Sequence, residues 1–425
     1  MLGAGLAGLS AALHLGGRYR LIERADRVGG LCRTDERAGF LFDATGHWLH
    51  LRDPEVRRLT EEVLPSGWLE VERRAGVFSN GVFTRYPYQV NTHGLPAPVV
   101  AENVLGFIEA QFGEKGRALR EKEPRTFGQF ILRHLGEGFA RNFMFPYNTK
   151  LWLVHPDELA SAPMERFVPR PTLEEVVQGA VGLGGDRAGY NASFLYPRAG
   201  GIEGFTRALA ARLSRPAECG VWPESIDPVR KRARLSTGEE VRFRAVVATL
   251  PLPEMARLVA GATPQVLEAA AALRANTVTY VNVGAREAGG PPFHWVYLPE
   301  ARFRPYRVGS ASAAVPGVAP PGCRSYWVEF SASGPLPASE VEPAAIETLR
   351  DLGFLRSAED VLFAETRTIP HAYVVCDRAW ASAREVVIRW LAERDILVAG
   401  RYGRWEYSSM EDALLAGKAA AHRLR

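Results

Sequence analysis

The chain begins MLGAGLAGLSAAL, and the spacing of Gly3, Gly5 and Gly8 restricts its fold more than any other feature. Glycines in a G-x-G-x-x-G register let a backbone turn sharply, approach a pyrophosphate and pack a helix tightly on a strand. Leu6 to Leu15 reads as that helix, with Ala7, Gly8, Ala11 and Ala12 on the face laid against a sheet. Arg20-Leu21-Ile22 reads as the next strand and ends at Glu23, twenty residues after Gly3. An acidic side chain at that distance suits an adenosine ribose, whose hydroxyls it accepts. The start of the helix adds free N–H groups and the positive end of a dipole. Only Met1 and Leu2 precede Gly3, so the strand leading into the turn is very short. A strand of ordinary length calls for a start upstream of Met1. If Met1 is the start, a stunted strand and weakened dinucleotide affinity follow.

Two further stretches favour FAD over NAD. VGGLCRT follows Glu23 directly, and its pair Gly29 and Gly30 resembles the second motif of glutathione-reductase-like FAD proteins. The chain closes with ILVAGRYGRWEYSSMEDALLAGKAAAHRL, a buried strand from Ile396 to Ala399 running into Gly400 and Arg401, a loop, and a small-residue helix from about Met410. That order has the shape of a flavin-contacting tail with a second helix N-terminus aimed at the cofactor. The fold class expected is α/β, a Rossmann-like FAD-binding domain with a helical insertion and an antiparallel-sheet substrate domain.

At 425 residues the chain exceeds a single simple core. We assign the FAD-binding domain to residues 1–60, 194–260 and 390–425, a helical substrate domain to 61–193, and an antiparallel sheet to 261–389. Helices are expected over Asp53 to Val63, Pro98 to Phe112, Thr126 to Phe145 and Gly201 to Leu213. Strands are expected at VTYVNVGA, HWVYLP, SYWVEFSAS and AETRTI, and a buried strand with a Pro-interrupted loop over Val241 to Met255. No apolar run is long enough for a membrane span. Cys32, Cys219, Cys323 and Cys376 are scattered without metal-ligand spacing, which fits a reduced cytoplasmic compartment and no bound metal. The net charge of +4 comes without a dense basic run or a basic–aromatic array, which argues against a nucleic-acid partner.

Beyond the glycine turn, stretches spread over most of the chain resemble UDP-galactopyranose mutase within the FAD-dependent amine oxidase and protoporphyrinogen oxidase superfamily. GFLFDATGHWLH resembles that family's loop beside the flavin and carries His47; YPYQVNTHGLP resembles its uracil-side segment and carries Tyr86 and Gln89. FPYNTKLWLVHPDEL presents Tyr147, Lys150 and Trp152 in the family's order, and MERF supplies Arg166 as one of two diphosphate arginines. YNASFLYPRAGG places Asn191 in the family's Asn position, and WVYLPEARFRPYR carries Tyr297 and the second arginine, Arg307. PHAYVVCD and GRYGRWEY bring Tyr373 and Tyr407, which match diphosphate-binding tyrosines. The Asn-Tyr-Ser-Pro run after the second arginine is absent: GSASAAVP puts Ala314 near a substrate tyrosine's place. The loop before His47 reads Ala-Thr-Gly in place of paired glycines.

The resemblance implies that reduced FAD, with N5 attacking the anomeric carbon of a UDP-sugar, interconverts pyranose and furanose forms, with NAD(P)H as a possible reductant. It implies that His47 tunes the flavin by orienting a backbone carbonyl. The chemistry of the residues agrees. Arginine forks neutralise a diphosphate through bidentate, charge-assisted bonds, and phenols add donors without fixed charge. In a chain with 47 arginines and 5 lysines, one arginine carries little weight; the shared pattern carries the reading. Two other functions stay open: an FAD-dependent oxidoreductase of the amine oxidase or protoporphyrinogen oxidase type, and a non-catalytic flavoprotein. The sugar and the oligomeric state also stay open.

Overall fold

The computed structural model describes residues 1–17, 19–184 and 192–425. Asn191 lies outside the described residues. Around the glycine turn runs a parallel sheet of very short strands. Ile22–Glu23 pairs with Glu218–Cys219, Leu2 bridges to Ile22 on one side and Ala248 on the other, and Val246–Ala248 pairs with Ile396–Val398. The last two strands are wholly apolar, as suits parallel strands covered on both faces. The helix Leu6–Leu15 follows the turn and buries Leu6 through Ala12. The tail helix Met410–His422 lies against it, and Ser10 Oγ donates to the Leu414 carbonyl at 2.6 Å. Gly417 permits that approach, since a Cβ there would stand 2.2 Å from the Ala7 oxygen.

The second sheet has seven strands in the order Val361–Val375, Arg274–Arg286, Cys323–Ala332, Arg307–Gly309, Trp295–Tyr297, Ala75–Ser79, Val82–Arg85. It differs from the expected antiparallel sheet in two ways. Trp295–Tyr297 runs parallel to Ala75–Ser79. The two strands at one edge come from the segment expected to be helical, where Trp68–Glu72 is also a strand, paired with Ser193–Pro197. The reason is local: Asn80 and Gly81 both take left-handed φ values, 54° and 77°, the conformation of a tight hairpin turn.

From residue 97 the insertion is helical. Ala97–Phe112 packs on Phe127–Phe139 so closely that a Cβ on Gly138 would meet the Glu102 oxygen at 2.2 Å. Thr126 and Gln129 form a capping box at the start of the second helix. The single helix expected from Thr126 to Phe145 is interrupted by Gly136, at φ 81°, and by a π-turn over Ala140–Met144. Phe145–Trp152 continues beyond it. The extra residue of a π-turn rotates the helix beyond it, and Phe143, Met144, Tyr147, Asn148, Leu151 and Trp152 all face one cavity. Among the described residues no helix is long and apolar enough to cross a membrane.

Candidate active site

The glycine turn forms a cradle. Gly3 has φ 94°, and a Cβ on Gly8 would stand 1.9 Å from the Gly3 oxygen, so the turn closes only around glycine. Gly5 bridges in parallel to Gly29, and Gly29 N donates to the Ala4 oxygen at 2.9 Å. A Cβ on Gly5 would meet nothing nearer than Gly30 Cα at 3.7 Å, so Gly5 opens onto space. The first turn of the helix has no side-chain cap, which leaves its N–H groups directed outward. Glu23 closes the far end, accepting from Ala4 N at 2.7 Å and Ala25 N at 2.9 Å. The tail meets this cradle. A Cβ on Gly400 would stand 2.6 Å from the Ala7 methyl, and Met410 Sδ lies 3.3 Å from Cys32 Sγ.

Several buried polar atoms have no protein partner: Arg33 Nε after the second glycine pair, Arg401 Nε and Ser408 Oγ in the tail, and His47 Nδ1 in the loop after strand Phe40–Asp43. Buried donors left so are costly. Donors, an open glycine face and a free helix start together fit a dinucleotide with phosphate and ring acceptors, and so fit FAD. Gly8→Ala is expected to destabilise the fold and abolish flavin content, because the clash is with backbone. Gly5→Ala is expected to fold normally yet lose most flavin, because the methyl occupies only ligand space. Flavin absorbance per protein and urea unfolding separate the two; equal stability of both variants would contradict the geometry.

A cavity of about 200 Å³ opens between the helical insertion and the seven-stranded sheet. Tyr86, Gln89, Tyr147, Trp152, Tyr297, Arg307, Tyr373 and Tyr407 all line it. The rings hold one another. Tyr297 lies 5.1 Å from both Tyr86 and Tyr147, and Trp152 sits edge-on to Tyr373 (5.5 Å) and Tyr407 (5.4 Å). Burial raises the phenol pKa values of Tyr297 and Tyr407, the latter to about 12, so both are neutral donors. Gln89 is 1% exposed with Oε1 unpartnered, free to receive a ligand donor.

The two predicted arginines part company. Arg307 lines the cavity, but its fork is occupied: Nε donates to Glu329 Oε2 at 2.7 Å and a terminal nitrogen to Oε1 at 2.8 Å. The same nitrogen lies 3.4 Å from the Tyr373 hydroxyl. Burial opposes the Arg307 charge, and the Glu329 carboxylate outweighs it, holding the group firmly protonated. Arg166 does not line the cavity. Asp412 holds it at 2.8 Å, it donates to the Tyr407 carbonyl at 3.1 Å, and it stacks on Phe167, which forms the wall. Asp412 caps the tail helix with Ser409, and that fixed carboxylate keeps the guanidinium at the rim.

Two residues of the site went unforeseen: Arg73, which lines the cavity, and Glu329, which holds the cavity residue Arg307. Glu329 is fully buried in the strand Cys323–Ala332, and an acid inside an otherwise apolar YWVEF run was the available signal. Arg73, 7% exposed, lines the cavity with its guanidinium 5.1 Å from the Tyr86 ring centroid; a basic residue in a loop offers no such signal.

Arg401 joins the cofactor side to the cavity. Its guanidinium lies 5.4 Å from the Tyr373 ring and 5.1 Å from the Tyr407 ring. His47 is close to the same charges. Burial first, then Arg401 and Arg307, lower its imidazole to about 4, so it is neutral near pH 7 and suited to orienting work rather than proton uptake. Thr45 takes φ 70°, a strained value for a β-branched residue.

These features fit a flavin-dependent enzyme with a Rossmann-like glycine cradle and a second, seven-stranded sheet. The chain belongs to the family of flavin containing amine oxidoreductases, whose model matches residues 6–425. A crystal structure of reduced UDP-galactopyranose mutase matches its fold with a TM-score of 0.92 at 24% identity, over 99% of this chain and 92% of that one. A fatty acid isomerase from P. acnes matches at 0.66 and 15% identity, over 99% and 97%. Wild-type putrescine oxidase bound to putrescine matches at 0.65 and 16%, also over 99% and 97%. At these identities the likeness is one of fold.

Proposed function

We propose that this chain is an FAD-dependent mutase that interconverts the pyranose and furanose forms of a UDP-sugar. The observation that carries the reading is the convergence of Arg307, Tyr297, Tyr373, Tyr407, Tyr147 and Trp152, from distant segments, on one cavity joined to the flavin cradle by Arg401. The guanidiniums of Arg307, paired with Glu329, and of Arg401, set against the Tyr373 and Tyr407 rings, suit a diphosphate, and the phenols add neutral donors. Gln89 and Tyr86 are assigned to the nucleobase end. The cavity is smaller than the ~300–1,000 Å³ usual for small-molecule sites, so a nucleotide sugar extends from it toward the cradle.

Reduced FAD supplies the nucleophilic N5 for the anomeric carbon when bound, with an NAD(P)H-type donor as its source of electrons. The protein's share is position and exclusion of water. Trp152 and Tyr147 wall the cavity, Arg307 and the tyrosines hold the diphosphate, and neutral His47 orients the loop beside the flavin. Arg166 acts from the rim, through the Tyr407 carbonyl and Phe167.

One observation favours a second reading. Because Glu329 occupies the Arg307 fork, the pair is close to neutral, which suits an uncharged substrate of an amine oxidase-type oxidoreductase. Mixing reduced protein with UDP-galactofuranose and separating the products by chromatography tests the first reading. UDP-galactopyranose is the expected product. Failure to convert, together with no UDP binding and substrate-driven bleaching of the oxidised flavin by an amine, selects the second.

A further inference from the structure

Lys150 lies on the helix Phe145–Trp152, between the cavity residues Tyr147 and Trp152, and does not itself line the cavity. Its ammonium instead donates to four backbone carbonyls, of Leu298 (2.7 Å), Glu300 (3.1 Å), Phe303 (2.6 Å) and Pro305 (2.9 Å). All four belong to the loop joining strand Trp295–Tyr297 to strand Arg307–Gly309. The neck of that loop is closed by Leu298 N donating to Tyr306 O at 2.9 Å and Tyr306 N donating to Glu329 O at 3.0 Å. Carbonyl dipoles that converge on one point repel one another unless a cation sits among them. An ammonium brings three donors and a charge, and such charge-assisted bonds are roughly twice as strong as neutral ones. Burial pulls the Lys150 pKa down to about 7, and the Glu300 carboxylate opposes that shift.

We propose that Lys150 is a positioning residue whose ammonium acts as an internal cation, seating the 298–305 loop, and with it Tyr297 and Arg307, against the helix that carries Tyr147 and Trp152. The ligand arm of its test rests on the UDP-sugar reading above; the loop arm does not.

The test compares wild type with Lys150→Ala by hydrogen–deuterium exchange of residues 298–307 and by UDP titration, each with excess methylammonium or, as a salt control, tetramethylammonium. Methylammonium retains three N–H donors and fits the space of the lost side-chain end; tetramethylammonium has none. Lys150→Ala is expected to raise loop exchange and weaken UDP binding by about tenfold or more each. Methylammonium, but not tetramethylammonium, is expected to restore most of both. Unchanged loop exchange in Lys150→Ala overturns the proposal, as does a loosened loop that methylammonium tightens no better than tetramethylammonium. Should Lys150→Ala fail to fold, Lys150→Met keeps the apolar stem without the charge, and unaltered loop exchange there overturns the proposal equally. If the loop behaves as expected but wild type shows no affinity for UDP, the UDP-sugar reading fails and the role of Lys150 stands.

Discussion

Arg307→Ala is expected to weaken UDP binding about a hundredfold and to lower the folding free energy by about 3–5 kcal/mol. The two losses have different causes. The binding loss follows from removing a guanidinium that lines the cavity beside Tyr373. The stability loss follows from Glu329, which is fully buried with both carboxylate oxygens bonded to Arg307. Truncation leaves that charge unpaired away from water, and a stranded buried charge costs far more than the net worth of the pair. The double variant Arg307→Met with Glu329→Gln removes both charges. It is expected to regain most of the stability while UDP binding stays weak. Urea unfolding and a UDP titration followed by Trp fluorescence measure the two effects. A single variant that binds UDP within a few-fold of wild type removes the diphosphate role of Arg307.

Acidification is expected to destabilise the protein steeply between pH 6.5 and 5. Burial lowers His47, His50 and His294 each from the ordinary 6.5 to about 4, with nearby arginines adding to the effect. His294 shows why: Arg74 Nε donates to its Nε2 at 3.1 Å, a bond that only an unprotonated nitrogen accepts. A base whose folded pKa lies below its unfolded value stays neutral in the native state while the unfolded chain takes up protons. Stability is then lost as pH falls from 6.5 toward 4. At pH 5 each ring contributes about 2 kcal/mol of loss, and half-buried His50 rather less. Asp43 works in the opposite sense. Burial raises its carboxyl to about 6, so protonation on acidification stabilises the native state and returns about 1 kcal/mol. These four groups together account for a loss of about 4 kcal/mol, a large part of the 5–15 kcal/mol typical of folded proteins. Urea midpoints at pH 7 and pH 5 measure it, and His294→Asn is expected to flatten the slope by about a half. Stability that is level or rising from pH 7 to pH 5 contradicts the burial of these rings.

The legibility of the fold without coordinates is uneven in a physically sensible way. The glycine turn, the helix Leu6–Leu15 and the tail helix Met410–His422 are legible because each is set by its own residues: close approaches only glycine allows, and a serine cap before an apolar face. The hairpin at Asn80-Gly81 is equally local, but its turn signal is masked within a segment dominated by helical patterns. The π-turn at Ala140–Met144 leaves no comparable mark, because it arises where one helix must fit past another and into a cavity wall.

The amino-acid order alone determined a nucleotide cradle, since Gly3, Gly5, Gly8 and Glu23 act over a span of about twenty residues where backbone conformation decides the outcome. Tertiary structure decided which charges face the cavity. It set Asp412 on Arg166 and Glu329 on Arg307, and it turned Lys150 away to the 298–305 loop. Those partners lie 246, 22 and about 150 residues apart, and the electrostatics of a side chain is settled by whatever the fold brings beside it.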